Sequence, residues 1–203
     1  AEGNTMLRLA QEAGSAELEL AARSCRFLDR LELGRLTEAD AELDAYAALA
    51  DAVGVARYRY RTRVYRAARA SLVGPLEEAE RLAACALQEG TSLGAPDTAL
   101  AYATVRFTLQ RERDRFDETL TASESVRDPV PSLPSVFALR SAALLETDGH
   151  EELRARLPEA ADAALAAEGP AFLRLPALAL FGEAAAALGM HDLIARLREA
   201  LVP

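Results

Sequence analysis

Lysine and tryptophan are absent from this sequence of 203 residues, isoleucine occurs once, at Ile194, and cysteine only twice. Without lysine there is no Schiff-base chemistry and no phosphate-gripping lysine of the P-loop kind. With so little isoleucine, and with modest numbers of valine and aromatic residues, a β-sheet core is not expected. Cys25 and Cys85 lie far apart, and neither belongs to a CxxC or a Cys/His cluster, so both are expected as buried, reduced thiols. No apolar run approaches the roughly 20 residues that span a bilayer. A basic, apolar signal peptide is missing too, and a cytoplasmic location is the expectation. The motifs GxSxG, HExxH, GxGxxG and GxxxxGK do not occur, and paired carboxylates are too common on every polar stretch to nominate acid–base chemistry. No catalytic residue, cofactor or metal site is expected, and the chain does not read as an enzyme.

What is present favours helix throughout. Ala, Leu, Glu and Arg dominate, and with 51% hydrophobic residues the chain can bury a substantial core as one domain or one repeat array. The net charge is −9, which repels DNA and anionic membranes unless a local basic patch overcomes it, so direct nucleic-acid binding is not expected. The exclusive use of arginine as the strong cation points to a GC-rich bacterial genome. The opening Ala1-Glu2-Gly3 lacks an initiator methionine, which points to processing or to a piece of a longer protein.

Comparison of the chain with itself shows a period of about forty residues. Leu33-Gly34-Arg35-Leu36-Thr37-Glu38-Ala39-Asp40 matches Val73-Gly74-Pro75-Leu76-Glu77-Glu78-Ala79-Glu80, and then Arg113-Asp114-Arg115-Phe116-Asp117-Glu118-Thr119-Leu120. Weaker copies follow at Thr147-Asp148-Gly149-His150-Glu151-Glu152 and at Leu188-Gly189-Met190-His191-Asp192. A period of this length marks stacked repeats. Each copy reads as a short turn between antiparallel helices, with Gly or Asp closing the first helix and the second beginning two or three residues later. Thr37 is expected as a helix cap and Pro75 as a first helical position.

Periodicity and stop signals predict helices over 5–13, 16–33, 37–52, 55–73, 75–89, 96–112, 115–127, 135–147, 150–167, 176–188 and 190–201. Pro158 is expected to interrupt the ninth, and Pro176 to start the tenth. Leu18, Ala22, Cys25, Leu28 and Leu31 form one predicted core stripe; Leu36, Ala39, Leu43, Ala47 and Ala50 form another. The Pro-rich segment 128–134 is the predicted linker. It separates regular repeats over 1–127 from degenerate ones over 135–203, all within a single repeat domain covering 1–203.

The Leu-Gly-x-Leu-x-Glu-Ala turn flanked by helix pairs resembles the tetratricopeptide repeat. The longer Ala-, Leu-, Arg- and Glu-rich unit is similar to the helical-repeat regions of large bacterial regulators of the MalT and LuxR-type ATP-binding class. The resemblance implies an all-α, right-handed superhelical solenoid of antiparallel helix pairs, with about five repeats of about 40 residues. It also implies a module for protein contacts, or one that senses an inducer, within a transcriptional regulator or signalling protein.

Candidate contact residues come from the same register. Arg26, Arg66 and Arg106 are spaced by 40, and Arg140 follows after 34, the offset that aligns the fourth turn. Stacked repeats place such positions side by side. Arg63 shares a register with Arg23, and Tyr60 lies among the arginines of the fourth helix. Guanidinium groups in a row suit a protein or acidic peptide partner, with tyrosine adding rigid contact area. The competing expectation is that these arginines pair with the chain's own carboxylates. Two further alternatives are a small-molecule inducer held in the superhelix and a structural arm that forms a homodimer. His150 and His191 fall at turns, where caps or solvent-facing side chains are expected. The apolar segment Phe172–Phe181 is expected as a buried helix, or else as a contact for a further domain or a second copy.

Overall fold

The computed structural model describes residues 2–125, 134–167 and 171–201, which form eleven α-helices and no strand. These are α1 (Glu2–Glu12), α2 (Ala16–Glu32), α3 (Leu36–Val53), α4 (Ala56–Val73), α5 (Leu76–Leu93), α6 (Thr98–Glu112), α7 (Phe116–Ser125), α8 (Pro134–Leu145), α9 (His150–Ala166), α10 (Ala171–Ala187) and α11 (His191–Leu201). Packing divides the chain into two compact units, Ala1–Val105 and Arg106–Pro203, with the division falling inside α6. Most of the predicted linker, residues 128–133, lies outside the described residues.

The forty-residue register is carried into the helix boundaries. Leu36, Leu76 and Phe116 are the first residues of α3, α5 and α7, and His150 and His191 are the first residues of α9 and α11. The turns before them reach the same end by different backbone routes. Gly34 takes a left-handed φ of 68°, and Asp114 takes the same region at 55°, one of the few non-glycine types that tolerates it. Gly74 is extended instead, at φ −101° and ψ 176°, because the following Pro75 disfavours helical backbone in the residue before it. At the start of α2, Ser15 accepts a hydrogen bond from the Leu18 amide at 3.3 Å and caps the helix.

In the first unit, consecutive helices pack on one another from α1 through α5. Tyr65 of α4 joins two clusters, Leu20–Tyr46–Ala50 and Phe27–Ala39–Leu43. Its ring centroid lies 4.8 Å from Phe27 and 5.6 Å from Tyr46, the latter edge-on. Burial, reinforced by the neighbouring Tyr65, pushes the Tyr46 hydroxyl up to about 12. In the second unit, α8, α9, α10 and α11 enclose one larger core in which Leu153, Leu157, Leu178 and Phe181 are fully buried.

Several sequence expectations are corrected. Thr37 does not cap α3, because the helix already begins at Leu36 and its cap position, Arg35, makes no side-chain capping hydrogen bond. Of the first predicted stripe, Leu18 is 55% exposed and Cys25 is exposed; the buried positions of α2 are Leu20, Ala22 and Phe27. The helix has neighbours on more than one side, so a single aliphatic spacing misses Phe27, which packs across to α4. The second stripe holds, with Ala39, Leu43, Ala47 and Ala50 buried. Pro158 lies inside α9 and Pro176 inside α10, each without ending the helix. A proline removes one backbone bond. Burial of Leu153, Leu157, Ala161 and Ala164 around Pro158, and of Ala177, Leu178, Phe181 and Ala184 after Pro176, outweighs that loss.

Two helical glycines sit in opposite surroundings. A Cβ on Gly90 would meet Thr98 Oγ1 at 2.3 Å and Tyr60 Cε2 at 2.6 Å, whereas a Cβ on Gly182 would meet nothing within 4 Å. Both gain about 1 kcal/mol of helix propensity on becoming alanine. At Gly90 the overlap with two buried side chains outweighs that gain, at a cost of about 1–3 kcal/mol. Gly182→Ala is therefore expected to raise the melting temperature and Gly90→Ala to lower it, as read by circular dichroism; the same sign for both would contradict this packing.

Candidate functional site

The arginines singled out by the register fall into two groups. Arg26, on α2, donates from Nε to Glu42 at 2.7 Å and also binds Glu42 through Nη2 and Asn4 through Nη1. Arg23 beside it bridges Glu19 at 2.6 Å and Glu42 at 3.4 Å. Glu42 is itself buried, so this network neutralises a carboxylate taken from water.

The same arrangement recurs in the second unit. Arg106 reaches Glu118 at 3.0 Å, and Gln110 and Arg115 bind the same carboxylate. Hydrogen bonding from Gln110, with the charges of Arg115 and Arg106, holds Glu118 below the ordinary carboxylate range. Arg140 donates to both oxygens of Glu152, at 3.1 and 3.0 Å, and to Ser123 Oγ at 3.0 Å. This fork lowers the Glu152 pKa, mainly through the Arg140 hydrogen bond, against the opposing effect of burial. Three of the four ladder arginines are thus engaged by carboxylates of the chain itself.

Arg66 differs. It is exposed, and among the described residues it makes no ion pair or hydrogen bond. Arg63 is also exposed, with its guanidinium 2.6 Å from Glu89 and its side chain 51% accessible. Tyr60 is only 2% exposed, with its ring against Gly90 and Thr98 in the interior of the first unit. A cavity that it lines with Val64, Leu87, Thr98 and Tyr102 has room for about one water molecule. Tyr60 therefore supports α4 from beneath.

Sequence reasoning passed over Arg59. It too is exposed and without an ion pair among the described residues. It stands at i, i+4 and i+7 with Arg63 and Arg66 on one face of α4. The signal was available, since the residue forty positions earlier is Glu19, of opposite charge. The remaining arginines of α4 are tied inward or sideways: Arg57 to Glu17 at 2.6 Å, Arg61 to Asp97 at 2.6 Å and Arg69 to Asp40 at 2.7 Å.

His150 places Nε2 3.0 Å from the Leu145 carbonyl oxygen, which lies at the end of α8, and His191 is exposed at the start of α11. Among the described residues, no group of three His, Cys, Asp or Glu side chains is placed to hold a metal ion, and no helix is long and apolar enough to cross a membrane. No family model matches the chain, and no curated protein or solved structure does either.

Removal of Arg140 leaves Glu152, a carboxylate only about one-third exposed, with the more exposed Arg156, at 2.9 Å, in place of the two-pronged bond. Arg140→Ala is expected to destabilise the second unit by about 1–3 kcal/mol at neutral pH. Because Glu152 has a lowered pKa in the folded chain, its contribution is present above the ordinary value of 4.5 and is lost as pH falls through the depressed folded value. The gap between wild type and variant should narrow in that acid range, leaving the loss of contacts outside Glu152, among them those with Ser123 and the Leu120 carbonyl. Urea titrations across the range provide the check, and a gap independent of pH would refute the assignment.

Proposed function

We propose that this chain is a tetratricopeptide-like interaction or sensor module. In this reading its helix pairs stack as a right-handed solenoid, and it binds a peptide or protein partner on behalf of a bacterial transcriptional regulator or signalling protein. The observation that carries the proposal is the position of the second helices. All five begin at the equivalent residue of the repeat: Leu36, Leu76, Phe116, His150 and His191. Turns of two to four residues before them force each helix to pack against the one just made.

Such an array gains its stability from neighbours along the chain and spends little of its surface on closing a core. Its distinctive product is a regular surface, and arginine-bearing helices on that surface suit recognition of carboxylates. The cavity beside Tyr60 holds about one water, far below the several hundred cubic ångströms of a small-molecule site, which weighs against an inducer at that position.

The test is selection of peptides from a random display library against the full chain, followed by calorimetry on the enriched sequences. Micromolar binding by a convergent set is the expected result. No enrichment over a blank support, together with a thermal shift caused by a metabolite, would replace the proposal with an inducer-binding reading. No enrichment together with concentration-dependent mass in sedimentation would replace it with a dimerisation arm.

A further inference from the structure

In a chain of net charge −9, α4 carries six arginines and no acidic residue. The forty-residue register supplies an internal control for what that means. On α2, the positions Glu19, Arg23 and Arg26 form a closed network with Glu42. Their counterparts on α4 are Arg59, Arg63 and Arg66, and the counterpart of Glu42 on α5 is Leu82. Both acids that neutralise the α2 face are thus replaced, one by a cation and one by an apolar residue. Glu77, Glu78 and Glu80 remain near this turn, where Glu78 is held at 2.6 Å by Arg81, and Glu89 further along α5 holds Arg63. The same helical face is internally neutralised in one repeat, whereas in the next Arg63 is held by Glu89 and Arg59 and Arg66 have no ion-pair partner among the described residues.

We infer that the outward stripe Arg59–Arg63–Arg66 of α4 is the partner-contact surface and that it takes an acidic segment of a protein, with carboxylates seated on the Arg59 and Arg66 guanidinium groups. This rests on the interaction-module reading above and names the partner's chemistry. Residues seven apart on a helix lie about 10.5 Å apart along its axis, close to the distance over which charges are felt through physiological salt, about 8 Å. A segment bearing two or three carboxylates matches that span. The guanidinium fork donates two parallel hydrogen bonds to a carboxylate, which gives geometry as well as charge. A nucleic acid, by contrast, continues as a polyanion beyond the stripe and meets a chain whose remaining charge is strongly negative.

The experiment measures fluorescence anisotropy of a labelled deca-glutamate peptide, and of an oligothymidylate of equal length, with the full chain at low and physiological salt. R59A/R66A removes the two arginines of α4 that have no partner among the described residues. R57A/R81A removes two exposed arginines outside the stripe, each already paired with a glutamate, and has the same net charge. The expected result is peptide binding weakened roughly ten-fold or more in R59A/R66A and changed less than about two-fold in R57A/R81A. R59K/R66K, which keeps the charge and loses the fork, should fall between wild type and R59A/R66A. Both targeted side chains are exposed and without ion-pair or hydrogen-bond partners among the described residues, and circular dichroism of each variant verifies the fold. Equal loss in the two charge-matched doubles, no peptide binding by wild type, or tighter binding of the oligothymidylate would overturn the inference. If peptides selected by display bind R59A/R66A as well as wild type, the stripe falls while the interaction-module reading stands; if no peptide binds by either route, both fall.

Discussion

The constraint on which the structure depends is the brevity of the turns. Two to four residues separate the helices at the turns before α3, α5, α7, α9 and α11, too few for the chain to travel anywhere except back along the helix it has just left. Each helix therefore finds its first packing partner in its predecessor. The composition follows, since alanine at the contacts lets axes come close and leucine and a few rings fill what remains. In the first unit that filling is concentrated at Tyr65, which ties α2, α3 and α4 through one side chain. In the second unit it is spread over leucines and Phe181 from four helices.

Against that apolar ground the arginines have two distinct occupations. Those at Arg23, Arg26 and Arg140 hold carboxylates that packing has partly removed from water, and they contribute to cohesion between helices. Half-buried pairs of this kind are screened less than surface ones, so losing one partner costs more than a surface bridge would. Arg59 and Arg66 occupy matching positions without matching acids. The forty-residue spacing in the sequence makes the distinction visible, because α2 serves as the reference for α4.

Much of the fold was legible in the sequence because its signals are local. Turn residues and helix periodicity placed all eleven helices within a few residues, and the second core stripe, Ala39 through Ala50, was read correctly. The failures arose where neighbours in space decide. The stripe on α2 was misjudged because Phe27 is drawn toward Tyr65, a residue of another helix. Pro158 was read as an interruption and Pro176 as a helix start because a missing backbone bond is a local fact, whereas the leucines that hold each helix together across its proline belong to a shared core. Among the site residues, spacing identified which arginines share a register. It gave no indication of which had a carboxylate in reach, and it left Tyr60 looking available when its ring is interior.

The notch at Gly90 has a consequence for how this sequence can change over time. Thr98 and the ring of Tyr60 occupy the space that any side chain at 90 would need, so the three positions share one small volume. A larger residue at 90 becomes acceptable only when 60 or 98 shrinks, and an aromatic at 60 persists only while 90 stays bare. Drift at these sites must then proceed by linked replacements, and related chains should divide into a few permitted triplets in place of independent variation.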